Sequence, residues 1–234
     1  MLLKSKISEY QISLDPVLNE KYLTAKLGKF TSSEWHSLMG EKGIGSAGLN
    51  YIYRKVGEEL TGLPVRQDIS TPATEHGLTY EREGLVKFGE KMGVQGTLLV
   101  QRLILDGDRC GGTPDAIWVK KESIDGLSYE AATVEVKCPL SFDGYIRAWK
   151  CKTPAEFKKE KPDWYWQVLH QMYICDCLVG YGVIYHPFFK SGQLNIIEFR
   201  KISTDIYQDI GLIAQRKNQS IQIFHETINQ MKNE

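Results

Sequence analysis

The chain has 234 residues, of which 42% are hydrophobic and 25% are charged, the ordinary balance of a globular protein. Lys and Arg together number 29, as do Asp and Glu, so the chain lacks the strongly basic composition of a protein that coats DNA. No apolar run approaches the roughly 20 residues of a membrane helix, and MLLKSKISEYQ has charges too early for a signal peptide, so we expect a cytoplasmic protein without membrane contact.

The N-terminal part of the chain carries mainly helical signals. Residues 1–25 give mixed patterns that allow one short helix. The stretch TSSEWHSLM at 31–39 predicts a helix start, with a Ser or Thr as the cap and Glu34 in the position of a capping-box partner. The glycines of GEKGIGSAG at 40–48 indicate a loop.

Two longer helices follow this loop in the prediction. Residues 49–62 have a helical period that places Tyr53, Val56 and Leu60 on one face. Residues 71–93 form the second helix, with a proline in its first turn and a glycine at its end. The first 70 residues are therefore expected to be mostly helical.

The pattern changes between residues 96 and 139, which are rich in Val, Ile, Leu and Trp and are broken by DGD, GG and IDG. This pattern predicts about three strands joined by turns. The remaining elements are predicted as helices at 141–150 and 154–180, strands at 181–189 and 194–202 with KSGQ as their turn, and a helix from Thr204. A central mixed β-sheet flanked by helices, of the α/β or α+β class, satisfies this order.

Three charged residues lie in the strand-rich part, where an unpaired buried charge would be costly. Glu135 and Lys137 are two residues apart, so both point to one face of their strand. Asp115 lies at the end of the preceding strand segment, and a hairpin through KESIDGLS would bring it beside Glu135. Two carboxylates and the main-chain carbonyl of Val136 would then suit Mg²⁺, which prefers oxygen ligands.

Each of these residues also has a structural interpretation. Glu135 and Lys137 could form the solvated edge of an amphipathic strand, and Asp115 after a proline could belong to a simple turn. The five cysteines have irregular spacings without a CxxC pair, and the five histidines show no ligand spacing, so a zinc or iron–sulfur site is not expected.

The segments GGTPDAIW at 111–118 and VEVKCP at 134–139 resemble the PD-(D/E)xK nuclease signature as it stands in the phage lambda exonuclease and YqaJ-type viral recombinase family. Three flanking segments resemble the same family in the same order: KLGKFTSSE at 26–34, EHGLTYERE at 75–83 and YWQVLHQMY at 165–173. The resemblance spans roughly residues 20–190. It implies one nuclease domain over 1–234 with a restriction-endonuclease-like core, divided into a helical part (1–70), a catalytic core (71–200) and a C-terminal helix (201–234).

The family resemblance also implies an activity and partners. It implies a Mg²⁺-dependent alkaline exonuclease, with Mn²⁺ as a substitute, that degrades one strand of duplex DNA from the 5′ end and leaves 3′ single-stranded tails for phage-type recombination. It further implies a homotrimeric ring, a single-strand annealing protein as partner, and a phage or prophage gene that acts in the bacterial cytoplasm.

The resemblance assigns roles to particular residues. Asp115 and Glu135 would be metal ligands, and Lys137 would be the catalytic lysine. The supporting residues would be Glu81 as an additional acid near the metals, Gln167 at the scissile region, and Lys26 and Ser33 as contacts to the terminal 5′-phosphate. Lys26 departs from the arginine that the lambda-type enzymes tend to have there, and a lysine lacks the bidentate fork.

Several alternatives remain open at this point. Glu81 lies on a helix rich in charge and could be a solvated residue, Ser33 could be a helix cap, and Gln167 and Gln171 share one helical face. For the whole chain, the alternatives are an endonuclease or junction resolvase on the same core, and a non-catalytic module that binds DNA ends.

Overall fold

Residues 6–13, 15–65, 71–93, 97–122 and 129–233 are described by the computed structural model. Within these ranges, no helix is long and apolar enough to cross a membrane. The predicted turn KESIDGLS lies mostly outside the described residues.

The strands in the described ranges form two mixed sheets. They are β1 (Ile7–Gln11), β2 (Phe30–Thr31), β3 (Thr97–Val100), β4 (Arg102–Asp106), β5 (Cys110–Gly112), β6 (Ala116–Glu122), β7 (Tyr129–Lys137), β8 (Val179–Tyr185) and β9 (Leu194–Arg200). The five-stranded sheet has the order β3-β6-β7-β8-β9, with β7 and β8 parallel and the other neighbours antiparallel. The four-stranded sheet has the order β1-β4-β5-β2.

The helices flank these sheets, which confirms the predicted fold class. They are α1 (Pro16–Lys26), a 3₁₀ helix (Ser32–Leu38), α2 (Ser46–Thr61), α3 (Pro72–Met92), α4 (Phe142–Lys150), α5 (Pro154–Glu160), α6 (Pro162–Cys175) and α7 (Thr204–Lys232). The prediction of a helix at 71–93, of a strand at 194–202 and of a C-terminal helix is confirmed. The strand predicted at 181–189 is present as β8, which begins at Val179 and ends at Tyr185. Segment 154–180 holds two helices because Pro162 lacks an N–H to continue the first one.

The prediction of about three strands between 96 and 139 is wrong, because the described residues of this range already form five strands. The chain leaves the five-stranded sheet after β3, contributes β4 and β5 to the four-stranded sheet, and returns at β6. Gln101, with a φ of 50°, makes the first of these crossings, and Thr113 and Pro114 make the return. The apolar runs in the sequence do not indicate at which residues the chain passes from one sheet to the other.

Two local predictions near the N-terminus are also wrong. The segment at 31–39 is a 3₁₀ helix, and the Thr31 side chain makes no capping hydrogen bond. Glu34 does not complete a capping box there, since its carboxylate pairs with Arg54 at 2.5 Å. Within α2, Val56 is buried but Tyr53 and Leu60 are exposed at 51% and 37%, so the face that these three residues share is not the buried face of the helix.

The buried face of α2 is set by a hydrogen bond as well as by packing. Tyr51, Ile52 and Val56 are buried in the core, and the Tyr51 hydroxyl accepts the Thr31 backbone N–H at 2.7 Å. This contact fixes the short strand β2 against α2. It raises the cost of any rotation of the helix that would expose Tyr51.

Candidate active site

The pairing of β6 with β7 brings the first carboxylate to the second. Ala116 on β6 is opposite Val134 on β7, so Asp115, directly before β6, lies level with Glu135. The Val136 backbone N–H donates to Asp115 Oδ2 at 2.6 Å. Asp115 thus lies one residue before the first residue of β6, and the predicted placement beside Glu135 is present.

The Glu135 side chain is 3% exposed, and hydrogen bonds reach both of its oxygens. Lys137 Nζ donates to Glu135 Oε1 at 2.8 Å, and Gln167 Nε2 donates to the same oxygen. Gln171 Nε2 donates to Oε2 at 2.6 Å. Lys137 Nζ also donates to Gln167 Oε1 at 2.9 Å, which closes a ring of three side chains.

Helix α6 supplies both glutamines from one face. Gln167 and Gln171 are four residues apart, so they lie one above the other along the helix. The family resemblance favoured Gln167, and the structure brings both glutamines to Glu135. Gln171 is 0% exposed, and its spacing from Gln167 is the signal that could have identified it.

Glu81 reaches the same place from α3 because a glycine lets that helix approach the sheet. A Cβ on Gly84 would lie 2.7 Å from Val136 Cγ1 and 3.2 Å from Tyr185 Cβ, so a larger residue would push α3 away from β7 and β8. At this close approach, Glu81 is near enough to Asp115 for the two carboxyl groups to influence each other's charge. Gln101 Nε2 donates to Glu81 Oε1 at 3.0 Å, a contact that the sequence did not indicate.

The charges of these side chains are strongly coupled. Burial raises the pKa of Asp115 well above its usual range, and the negative charges of Glu135 and Glu81 add to this effect. Burial also raises the pKa of Glu81, although the Gln101 amide opposes the shift. Burial by itself would lower the pKa of Lys137, but Glu135 and Asp115 outweigh it and raise the pKa.

The donor set fits a hard divalent cation. Three carboxyl groups face one ammonium group, so the site with all groups ionised has an excess of negative charge that a cation would neutralise. Carboxylate oxygens are the ligands that Mg²⁺ and Mn²⁺ prefer. Among the residues that the structure describes, no three His, Cys, Asp or Glu side chains converge on one point as they stand, and the Glu135 oxygens are held by amides and Lys137.

Lys26 and Ser33 lie on neighbouring elements at the N-terminal side. Lys26 Nζ donates to the Tyr22 hydroxyl at 3.1 Å, and this hydroxyl is 2.9 Å from Thr113 Oγ1. Lys26 is therefore linked to the segment that carries Asp115. Ser33 is exposed on the 3₁₀ helix, which packs against α6, and its hydroxyl is 3.4 Å from Thr31 Oγ1.

All five cysteines are free and buried. None of the hydrogen bonds described above joins a histidine to these carboxylates, and His170 Nδ1 lies 2.8 Å from Ser32 Oγ. The chemistry of the cluster therefore rests on carboxylates, amides and one ammonium group.

The fold resembles solved exonuclease structures. An alkaline exonuclease from Laribacter hongkongensis has a TM-score of 0.70 at 18% identity, with 92% of this chain and 96% of that chain covered. A second structure of that enzyme, in complex with dAMP, has the same TM-score and coverage at 19% identity. A phage-related exonuclease from Haemophilus somnus 129PT has a TM-score of 0.63 at 14% identity, with 87% of this chain and 96% of that chain covered.

Sequence comparison gives the family. No curated protein matches the chain at a significant level. The YqaJ-like viral recombinase domain matches residues 21–178, well over half of the chain, and this range contains Asp115, Glu135, Lys137, Glu81 and Gln167. The chain belongs to the YqaJ-like viral recombinase family.

Proposed function

We propose that this protein is a metal-dependent exonuclease that hydrolyses phosphodiester bonds from the ends of duplex DNA, 5′ to 3′, and leaves 3′ single-stranded tails for phage-type recombination. The observation that carries the proposal is the convergence of Asp115, Glu135 and Lys137 at the paired ends of β6 and β7. Gln167 bonds Glu135 and Lys137, and Glu81 lies near Asp115. Further support comes from the similar structures, which are exonucleases, one of them with a bound deoxynucleotide.

In this proposal the carboxylates hold the cation. Asp115, Glu135 and the main-chain carbonyl of Val136 would be ligands of Mg²⁺ or Mn²⁺, with Glu81 beside them. The bound cation would polarise a phosphoryl oxygen and lower the pKa of a bound water. The side chains of the protein would orient the scissile phosphate and hold the protons.

Lys137 would act as a charged donor. Its pKa is raised by Glu135 and Asp115 in spite of burial, so its amine stays protonated at neutral pH. A protonated Nζ can stabilise the negative charge that develops on the phosphate. Gln167, which contacts both Lys137 and Glu135, would orient them toward the scissile bond.

The polarity of digestion follows from the contacts proposed for the 5′ end. Lys26 and Ser33 would bind the terminal phosphate, one through its charge and the other through its hydroxyl. We also propose, from the family, a homotrimeric ring that encloses the DNA and a single-strand annealing protein that takes the exposed strand.

The test is digestion of linear duplex DNA labelled separately at its 5′ and 3′ ends, beside a closed circle, with Mg²⁺ or with EDTA. The expected result is metal-dependent release of the 5′ label with the circle intact, and loss of this release in Lys137→Ala. Lys159→Ala is the matched control, because Lys159 is an exposed lysine on α5. A cut circle would favour an endonuclease or junction resolvase, and the absence of cleavage with any divalent metal would leave a DNA-end-binding module.

A further inference from the structure

Gln101 has a backbone conformation that its side chain disfavours. Among the described residues, Gln101 (φ 50°) and Asp176 (φ 51°) are the non-glycine residues with a φ in the left-handed region. A Cβ in this region is crowded by the following carbonyl, so glycine is the residue that such a turn selects when only the turn matters. A strained residue of this kind points to a role for its side chain.

The contacts of Gln101 lead to two acidic residues of the candidate site. Its side-chain Nε2 donates to Glu81 Oε1 at 3.0 Å, and its backbone N–H donates to the Asp115 carbonyl at 3.1 Å. The strand register explains this position. Val100 on β3 pairs with Ala116 on β6, and because the strands are antiparallel, Gln101 lies beside Asp115. One residue thus connects the carboxylate on α3 with the backbone that carries Asp115.

A role in the turn alone does not account for the side chain. The backbone N–H bond to Asp115 would be kept by any residue except proline, including glycine. The amide of Gln101, by contrast, donates to a partly buried carboxylate that has another acid as its neighbour. A neutral donor at this place fixes the carboxylate and leaves its negative charge available to a cation. A lysine or arginine would neutralise that charge.

We propose that Gln101 is a positioning residue that holds Glu81 toward Asp115, so that the two carboxylates face a divalent cation together. This inference rests on the proposed function, since it concerns the affinity of the same site for the cation. Residues that orient metal ligands by hydrogen bonds commonly change metal affinity by 10- to 100-fold when they are replaced, roughly the effect expected here.

The experiment compares Gln101→Gly and Gln101→Met with the wild type and with Asp176→Gly. Both Gln101 variants lose the amide, but glycine relieves the left-handed backbone and methionine does not. Mn²⁺ binding is measured by isothermal titration calorimetry on the full chain, the thermal midpoint is measured without metal, and release of a 5′ label is measured with Mg²⁺. Asp176 is the C-cap of α6 and also has a left-handed backbone, so Asp176→Gly shows what a glycine at such a position does by itself.

Both Gln101 variants should bind Mn²⁺ about tenfold or more weakly, with a similar loss of cleavage. The thermal midpoint of Gln101→Gly should be at or above that of the wild type, because glycine removes the backbone strain. The thermal midpoint of Gln101→Met should be lower than that of the wild type. Asp176→Gly should bind and cleave as the wild type does. Wild-type Mn²⁺ affinity in both Gln101 variants, beside an active wild type, would overturn this inference alone; a wild type that neither binds Mn²⁺ nor cleaves DNA would overturn the proposed function as well.

Discussion

Lys137 Nζ lies 2.8 Å from Glu135 Oε1, and the two residues point to the same face of β7 because they are two positions apart. The pair is closed by Gln167, which bonds both partners. Oε1 therefore already has two donors. In the proposed function, a metal ion at this oxygen would take one acceptor from Lys137, and its ammonium group would then donate to a DNA phosphate.

The first prediction concerns the size of the group at position 137. Lys137→Arg keeps the positive charge, but a planar guanidinium cannot replace a compact ammonium between Glu135 and Gln167 without displacing one of them. We expect nuclease activity to fall about 100-fold, close to the loss of a single oxyanion donor. Initial rates of 5′-label release measure this, with Lys159→Arg as the control. An Arg variant as active as the wild type would show that charge alone is required.

Gln171 gives a prediction about stability. Its Nε2 donates to Glu135 Oε2 at 2.6 Å in a fully buried position. Gln171→Leu removes this donor from a carboxylate that water hardly reaches, so the free energy of unfolding should fall by about 1.5–3 kcal/mol. Urea denaturation at pH 7 measures the change.

The control for Gln171 is Gln208→Leu, at an exposed position on α7, which should change stability by no more than about 0.5 kcal/mol. Equal stability of the two variants would mean that the bond between Gln171 and Glu135 contributes little. Activity of Gln171→Leu should also fall, since Glu135 loses one of the groups that orient it.

Gly84 gives a prediction that separates helix propensity from packing. An added Cβ would lie 2.7 Å from Val136 Cγ1, so Gly84→Ala must shift α3 or β7 and should cost about 1–3 kcal/mol in spite of the better helix propensity of alanine. Gly77 lies on the same helix with no atom within 4 Å of its Cβ position, so Gly77→Ala should stabilise the protein by up to about 1 kcal/mol.

Activity provides the second readout for Gly84. Because Glu81 is one turn away on α3, a shift of this helix should move Glu81 away from Asp115 and lower cleavage as well as stability. Thermal unfolding and 5′-label release on both variants test this. Gly84→Ala should be less stable than the wild type, and Gly77→Ala should be more stable. A Gly84→Ala variant as stable as Gly77→Ala would contradict the close packing of α3 on β7.

The site could be predicted from sequence where it depends on local spacing. Glu135 and Lys137 share a face because strand side chains alternate, and a hairpin was enough to bring Asp115 opposite Glu135. Glu81 required the family resemblance, because its position depends on the close approach that Gly84 allows. The left-handed φ of Gln101 has no signal in a pattern of apolar and polar residues.

The same distinction holds for the fold. The long helices and β8 and β9 have enough residues for their periods to be recognised, and they were predicted. The four-stranded sheet was missed because β2 and β5 have two and three residues, too few for an alternating pattern, and because β5 has the sequence CGG. Pairing with distant segments, such as β2 with β5, determines these strands.

The last prediction is a pH dependence that His170 contributes. His170 is 0% exposed, its ring stacks on Trp35 with centroids 3.7 Å apart, and burial lowers its pKa to about 3. In the unfolded chain its pKa is about 6.5. Between these values the unfolded chain binds one more proton than the folded chain, so His170 makes stability fall as the pH is lowered from about 6.5 toward 3, by at most about 1.4 kcal/mol per pH unit.

His170→Phe isolates this contribution, because phenylalanine keeps an aromatic ring beside Trp35 but cannot bind a proton. Urea denaturation from pH 7.5 to 4.5 gives the free energy of unfolding of both proteins. The comparison is between the slopes of this free energy against pH, because the substitution can also change its absolute value. The wild type should lose stability more steeply with acidification than the variant below about pH 6.5. Parallel curves would mean that His170 takes up its proton in the folded state, which its complete burial and its bond to Ser32 argue against.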